Sequence, residues 1–408
     1  MPTSYPLGSI NVVLLESIHG SASEAFESAG YSVRRVDQAL RGQELIDEAS
    51  DAHILGIRSR SRVDAEFLEA ARHLWAVGCF CIGSESVDMP AASDRGVAVF
   101  NAPFSNTRSV AELTISEAIA LSRRLFERSS KAHQGEWDKS ASGSREVRGQ
   151  TLGIIGYGRI GSQVSYLAEA MGMRVLFFDI APSLPMGNAV RCDTIEDVLR
   201  QSDIVTIHVP GSASTSGLIG AEQIAQMKHG ASVINNARGD VLDQDALAEA
   251  LSSGQLSGAA VDVYPVEPSS KDEALRTPLA GLPNVILSPH IGGSTLEAQE
   301  SIGQEVASKL IRFMNNGSTT TSLNMPEVDL PVLHDDKHRI LHYHANTPGV
   351  LSRLHSLISE LGINIHSEYL QTTHSHGYVI LDIDPAHGES LKQKLRELPD
   401  TIRVRTLW

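Results

Sequence analysis

The sequence predicts an α/β protein of two parallel-sheet domains, the second inserted into the first, followed by a small βαββαβ module. Three features predict it. Short apolar strands alternate with amphipathic helical stretches from Asn11 to Ala102 and again from Thr151 to Pro289, the pattern of parallel sheets. A glycine-rich strand, turn and helix open the second stretch. After a polar, proline-containing segment, residues 315–331, the pattern changes to four strands and two helices. With 408 residues, 41 % hydrophobic and 20 % charged, the chain can bury two or three cores.

In the first domain the strands are read at residues 11–15, 32–36, 54–57, 75–77 and 97–100, each short and apolar. Residues 109–125 and 295–314 read as long helices with one apolar face, suited to crossing out of the first domain and back. The first domain is therefore discontinuous, residues 1–107 and 295–330, around an inserted domain at 108–294. In the terminal module, residues 336–408, strands are expected at 338–345, 363–370, 377–383 and 401–407, with helices at 349–361 and 387–397. That is the order of a ferredoxin-like module.

The stretch TLGIIGYGRIGSQVSYLAEAMGMRVLFFDI, from Thr151, carries a dinucleotide-binding fingerprint. Gly156, Gly158 and Gly161 follow an apolar strand at G-x-G-x-x-G spacing, for a tight turn, close approach to a pyrophosphate and close helix packing. The helix N-terminus faces the phosphates. The second strand ends at Asp179, where a carboxylate accepts the ribose hydroxyls, and no Arg follows at Ile180 or Ala181. This predicts a Rossmann-like domain that binds NAD rather than NADP. A glycine turn in an ordinary α/β domain would explain the glycines but not the terminal acid.

Three chemically active residues follow three strands of that domain: Arg238, Glu267 and His290. Strand carboxyl ends share one edge of an open parallel sheet, so the three can converge there. Oxidising a secondary alcohol needs a base, which suits His290 oriented by Glu267, and a cation for the substrate carboxylate, which suits Arg238. Taken singly, each has a plain alternative as a cap, a helix-start acid or a turn residue. Downstream of the fingerprint, the three together favour catalysis. In the first domain Arg58, Arg60 and Arg62 alternate beyond a strand, a side-by-side set of guanidinium groups suited to a phosphate. A solvated basic turn is the alternative.

NNARGDVLD, AAVDVYPVEP and LSPHIGGST, with NAPFSNTRSVAEL upstream, resemble the signatures of the D-2-hydroxyacid dehydrogenase family. Nearly the whole chain resembles the bacterial members that end in an ACT module. The resemblance implies a flavodoxin-like substrate domain around the Rossmann-like NAD domain, with Arg238, Glu267 and His290 catalytic. It implies cofactor contacts from residues 156–161 (Gly156, Tyr157, Gly158, Arg159, Ile160, Gly161), from Asp179, His208, Val209, Pro210, Ala237 and Asp262, and from His290, Gly292 and Gly293. Arg58, Arg60 and Arg62, joined by Lys139, would meet a substrate phosphate. The implied reaction is NAD-dependent oxidation of 3-phosphoglycerate to 3-phosphohydroxypyruvate in L-serine biosynthesis, by a homotetramer under serine feedback. Another 2-hydroxy acid such as 2-hydroxyglutarate, or a NAD-sensing corepressor role, are the rivals. One departure stands out: Glu85 occupies a place where relatives commonly carry Asn.

His344-Ala345-Asn346-Thr347-Pro348-Gly349 resembles the ligand turn of amino-acid-sensing ACT modules, with His344, Asn346 and Asn364 as the serine contacts. Nine of the sixteen histidines lie beyond Pro331, but no Cys or carboxylate cluster accompanies them, and no metal site is expected. Three cysteines, with Cys79 and Cys81 on one face of a strand at 74–80, make no disulfide framework. A net charge of −15 argues against nucleic acid or an anionic membrane as partner. No apolar run approaches a membrane span and no signal-peptide pattern opens the chain, so a cytoplasmic protein is expected.

Overall fold

In the computed structural model, which describes residues 6–268, 273–334 and 336–407, the chain divides into two units. One comprises Met1–Ser105 and Gln299–Trp408, the other Asn106–Ala298.

The first unit begins with β1 (Asn11–Leu15), β2 (Ser32–Val36), β3 (Ile54–Ile57), β4 (Ala76–Cys79) and β5 (Ala98–Asn101), all parallel in the order β2-β1-β3-β4-β5. This is the flavodoxin-like order. Residues of β3, β4 and β5 are buried throughout, as a sheet covered on both faces requires, while the edge strand β2 carries Arg34 and Arg35. The long helix Leu296–Asn316 packs Val306, Leu310 and Phe313 into the same core, Phe313 lying 5.7 Å from Phe100. Cys81 falls beyond β4, so it does not share a strand face with Cys79.

The polar, proline-containing segment at residues 315–331 is packed. Thr319, Met325, Val328 and Leu330 are buried, and Asn324 accepts from Val99 N (2.9 Å) and donates to Val97 O (2.8 Å). Its polar residues are there to satisfy the free edge of β5, not to stay in water.

The terminal module forms β13 (His338–Ala345), β14 (Ile365–Thr372), β15 (His376–Ile383) and β16 (Thr401–Leu407), antiparallel in the order β14-β15-β13-β16. Helices Val350–Glu360 and Gly388–Glu397 cover one face through Leu354, Ile358, Leu391 and Leu395. The other face, with Leu341, Tyr343, Tyr378 and Leu407, joins the core of the first domain. Arg339 reaches Asp382 with two bonds (2.7 and 2.8 Å) and also donates to Asn316 O (3.2 Å) and Pro331 O (2.9 Å). Tyr378 donates to Gly317 O (2.9 Å). The module is thus fastened to the body by buried polar contacts.

The second unit holds β6 (Thr151–Ile155), β7 (Arg174–Phe178), β8 (Val190–Arg191), β9 (Ile204–Ile207), β10 (Ala231–Asn235), β11 (Leu256–Val261) and β12 (Val285–Leu287). They form one parallel sheet, β12-β11-β10-β9-β6-β7-β8, which is the Rossmann order with one added strand. Helix Thr107–Arg123 packs Ala111, Ile115 and Ala118 on this sheet.

Candidate active site

The glycine turn lies between β6 and helix Arg159–Ala170. Gly156 has φ 94° and approaches His208 O so closely that any side chain would collide, and Gly161 packs directly on Gly156 O. At Gly158, the N-cap, nothing lies within 4 Å of where a Cβ would stand, leaving open space before the helix N-terminus. Asp179 follows β7 and accepts from Tyr157 N (2.6 Å) and Ala181 N (2.8 Å). Two acceptor sites of the carboxylate are thereby used to tie turn to strand, and its remaining lone pairs are available to a ribose. These residues fit a dinucleotide.

Other expected cofactor residues divide. The Tyr157 side chain is buried against Phe177 (3.8 Å between rings) and bonds Ser165, so only its backbone faces the turn. Arg159 and Ile160 open the helix. His208 bonds Thr206 Oγ1 through Nε2 (2.9 Å), and desolvation pushes its pKa down to about 3, so it is neutral beside Val209 and Pro210 at the end of β9. Sequence reasoning overlooked Arg191, which reaches back from β8 to donate to Asp179 O (3.1 Å). Its signal was hidden because it lies a dozen residues beyond the acid.

At the carboxyl edge of the same sheet, His290 Nδ1 meets both oxygens of Glu267 at 2.9 and 3.0 Å. His290 sits in the left-handed region, φ 55°, a conformation that costs a non-glycine residue roughly 1 kcal/mol or more and is held by its surroundings. The holder is Asp262, 1 % exposed, which accepts from Ser288 Oγ (2.6 Å), Ile291 N (2.8 Å) and Gly292 N (2.7 Å). All three of these bonds reach the turn bearing His290. Gly293 in turn packs on Asn106.

The hydrogen bond to Glu267 raises the His290 pKa above its ordinary value against the opposing effect of burial, with Arg238 pulling it back. For Glu267, burial alone would raise the pKa, but the bond and charge of His290, helped by Arg238, leave it below the ordinary value. Arg238 therefore lies within electrostatic reach of both, half-buried, with Nη1 donating to Ala237 O (2.7 Å). Gly239 brings the two motifs together. It presses against the backbone of Tyr264 and Pro265, leaving no room for a Cβ. Behind it Asn236 donates to Glu117 Oε2 (2.7 Å) and Thr114 Oγ1 (3.1 Å). Desolvation pushes the buried Glu117 up to about 7.

In the first unit, Arg58, Arg60 and Arg62 follow β3. The organiser of this loop is Glu16, 2 % exposed and also at positive φ, which accepts from Arg58 N (3.1 Å), Arg60 N (3.0 Å) and Ser61 N (2.8 Å). The amides of Arg58, Arg60 and Ser61 are thus taken by this carboxylate, which also stands 3.8 Å from Arg60 Nε. Glu85 folds its carboxylate back over Gly83. Lys139 is exposed in the second unit. In the terminal module His344 is buried, packed on Gly377 and bonded to Ala345 O (2.8 Å), while Asn346 donates to Thr373 O (2.9 Å) and Asn364 is exposed. Gly349 has φ 90° at the turn before helix Val350–Glu360.

This fold and edge geometry define a class. Residues 115–292 match the family described as D-isomer specific 2-hydroxyacid dehydrogenase, NAD binding domain, and residues 340–403 match an AHAS small subunit-like ACT domain. The chain belongs to the NAD-dependent D-isomer 2-hydroxyacid dehydrogenases. Within that family it is 50 % identical to D-3-phosphoglycerate dehydrogenase of Haemophilus influenzae over 98 % of this chain and 97 % of the relative. It is 48 % identical to D-3-phosphoglycerate dehydrogenase of Escherichia coli, covering 98 % of each. Among solved structures, the NAD-complexed D-isomer specific 2-hydroxyacid dehydrogenase of Lactobacillus delbrueckii aligns at a TM-score of 0.67 and 25 % identity, over 77 % of this chain and 100 % of that one.

Proposed function

We propose that the chain oxidises 3-phosphoglycerate to 3-phosphohydroxypyruvate. The observation that carries the chemistry is the bonding of His290 Nδ1 to both oxygens of Glu267, which leaves Nε2 to take the proton of a substrate hydroxyl. Bound NAD supplies the hydride acceptor. Glu267 holds the ring in the Nδ1–H tautomer and stabilises the imidazolium formed on proton transfer. Arg238 orients the substrate carboxylate and polarises the forming carbonyl. Arg58, Arg60 and Arg62 receive the phosphate, with Lys139 as a further cation, and the names of the near-full-length relatives support this substrate.

The terminal module binds serine at His344, Asn346 and Asn364 and lowers turnover by favouring a less competent arrangement. The assembly is a homotetramer, supported by exposed Leu125, Phe126 and Trp137 in one unit and the open edge strand β14 in the other. Three cysteines outside any disulfide suit the reducing cytoplasm. No helix among the described residues is long and apolar enough to cross a membrane.

The test is NADH formation with a panel of hydroxy acids. 3-Phosphoglycerate should exceed 2-hydroxyglutarate and D-lactate in kcat/KM, and His290→Ala should abolish turnover while NADH binding persists. Equal turnover of unphosphorylated acids would overturn the substrate, and NAD binding without turnover of any acid would favour a sensing role.

A further inference from the structure

In the seam between the terminal module and the first sheet, Asp94 meets His376 at 3.5 Å, but neither Arg403 nor Arg405 has a carboxylate partner among the described residues. Arg403, on β16, lays its guanidinium 3.7 Å over the Trp75 ring and donates through Nη1 to Leu74 O at 2.5 Å. Arg405 lies 5.3 Å from the same ring and donates to Met314 O at 2.5 Å. Burial pushes Arg403 down to about 9 and Arg405 down to about 10. His53 beside them is also lowered, first by burial and then by His73, Arg405 and Arg403, with Asp51 opposing. On the same sheet Arg339 shows how this chain treats a structural buried arginine: it is given Asp382. Guanidinium groups drawn from water without a counter-ion are costly.

A cavity of about 310 Å³ opens beside these groups. Arg72 and His73 line it from the turn before β4, and Arg396, Thr401 and Arg403 line it from the module. None of the described lining residues is an Asp or Glu, although acidic residues outnumber basic ones 49 to 34 in the chain. The exposed Arg72 and Arg396 make no ion pair among the described residues. The site is separate from Arg58, Arg60 and Arg62, because those follow the carboxyl end of β3 whereas Arg72 and His73 precede the amino end of its parallel neighbour β4. Opposite edges of a strand of this length lie roughly 13 Å apart.

We propose that this cavity binds a small multivalent phosphate-bearing anion, clasped by Arg72 and His73 on one side and Arg396 and Arg403 on the other. The size suits a small metabolite. Because the two sides belong to different domains, the anion fastens the module to the first sheet and stabilises the unit that contains both.

Calorimetry of the full-length protein with inorganic pyrophosphate, at saturating NADH to fill the dinucleotide site, tests this. In an Arg60→Ala background, which weakens the substrate phosphate site, binding should persist, and adding Arg72→Ala/Arg396→Ala should lower its affinity about 100-fold, at about tenfold per charge-assisted contact. A parallel titration with glycerol 3-phosphate tells an organic ester from the free inorganic ion, and either ligand lost with the added pair supports the site. Pyrophosphate should raise the melting temperature of the Arg60→Ala protein and not of the variant that also carries the pair, whose own melt confirms folding. Absence of binding, equal affinity with the added pair, or loss of binding in Arg60→Ala would overturn the proposal.

Discussion

Replacing Glu267 by Gln keeps the shape of the His290 partner and removes its charge. Two losses follow. The bond from a carboxylate to an imidazolium contributes about 1–2 kcal/mol once discounted for the half-exposure of the pair, which is about 5- to 30-fold. In addition, the Gln amide can donate to Nδ1, which would leave the proton on Nε2 and the ring unable to act as base. Together they should lower kcat about 10²- to 10³-fold, with cofactor binding retained. The pH profile carries the sharper signature. Glu267 raises the His290 pKa, and the ring works as a base only when neutral, so wild-type kcat/KM should rise with pH through a value above the ordinary histidine pKa. In Glu267→Gln that acid limb should move to lower pH while the plateau drops. Steady-state NADH formation across pH measures both, and an acid limb that stays in place or moves up would refute the assignment of His290 as the base.

Asp179→Ala should weaken NAD and favour NADP, because the repelling carboxylate is gone and the nearby Arg191 can meet a 2′-phosphate; an unchanged NAD to NADP ratio in kcat/KM would point to another determinant. Arg60→Ala should raise KM for 3-phosphoglycerate at least tenfold while leaving KM for unphosphorylated hydroxy acids within about twofold, and equal effects would remove phosphate reading from this loop. Glu117 has a folded pKa raised to about 7, so its ionisation destabilises the fold as pH rises above the unfolded carboxylate value and costs about 3 kcal/mol once pH exceeds both. Glu117→Gln should therefore stabilise the protein at pH 8 and change little at pH 4.5, and denaturant melts showing no pH-dependent gain would contradict a neutral Glu117. Asn346→Ala should abolish serine inhibition with turnover retained; inhibition surviving in the folded variant would sink the site. Removal of the whole module is a poorer test, since it strips the partners of Gly317 O and Pro331 O and uncovers the core around Leu341 and Tyr378.

By itself the sequence determined what depends on short-range pattern. Strand and helix periodicity placed the three sheets, glycine spacing at Gly156, Gly158 and Gly161 set the dinucleotide turn, and strand ends aligned Arg238, Glu267 and His290 on one edge, because parallel strands share a direction. Tertiary structure decided what depends on contacts far apart in the chain. Nothing local to Asp262 announces that its bonds fix the strained turn at His290. Glu16 lies more than forty residues from the arginine loop it organises, and nothing local marks it. Residues 315–331 read as a linker because they are polar, but the polarity of Asn324 answers the unpaired edge of β5. Arg403 and Arg405 read as an ordinary alternating strand, and only the meeting of β16 with Trp75 shows them as buried cations beside a cavity. A hydrogen-bond donor advertises its chemistry in the sequence, whereas its partner is chosen by the fold.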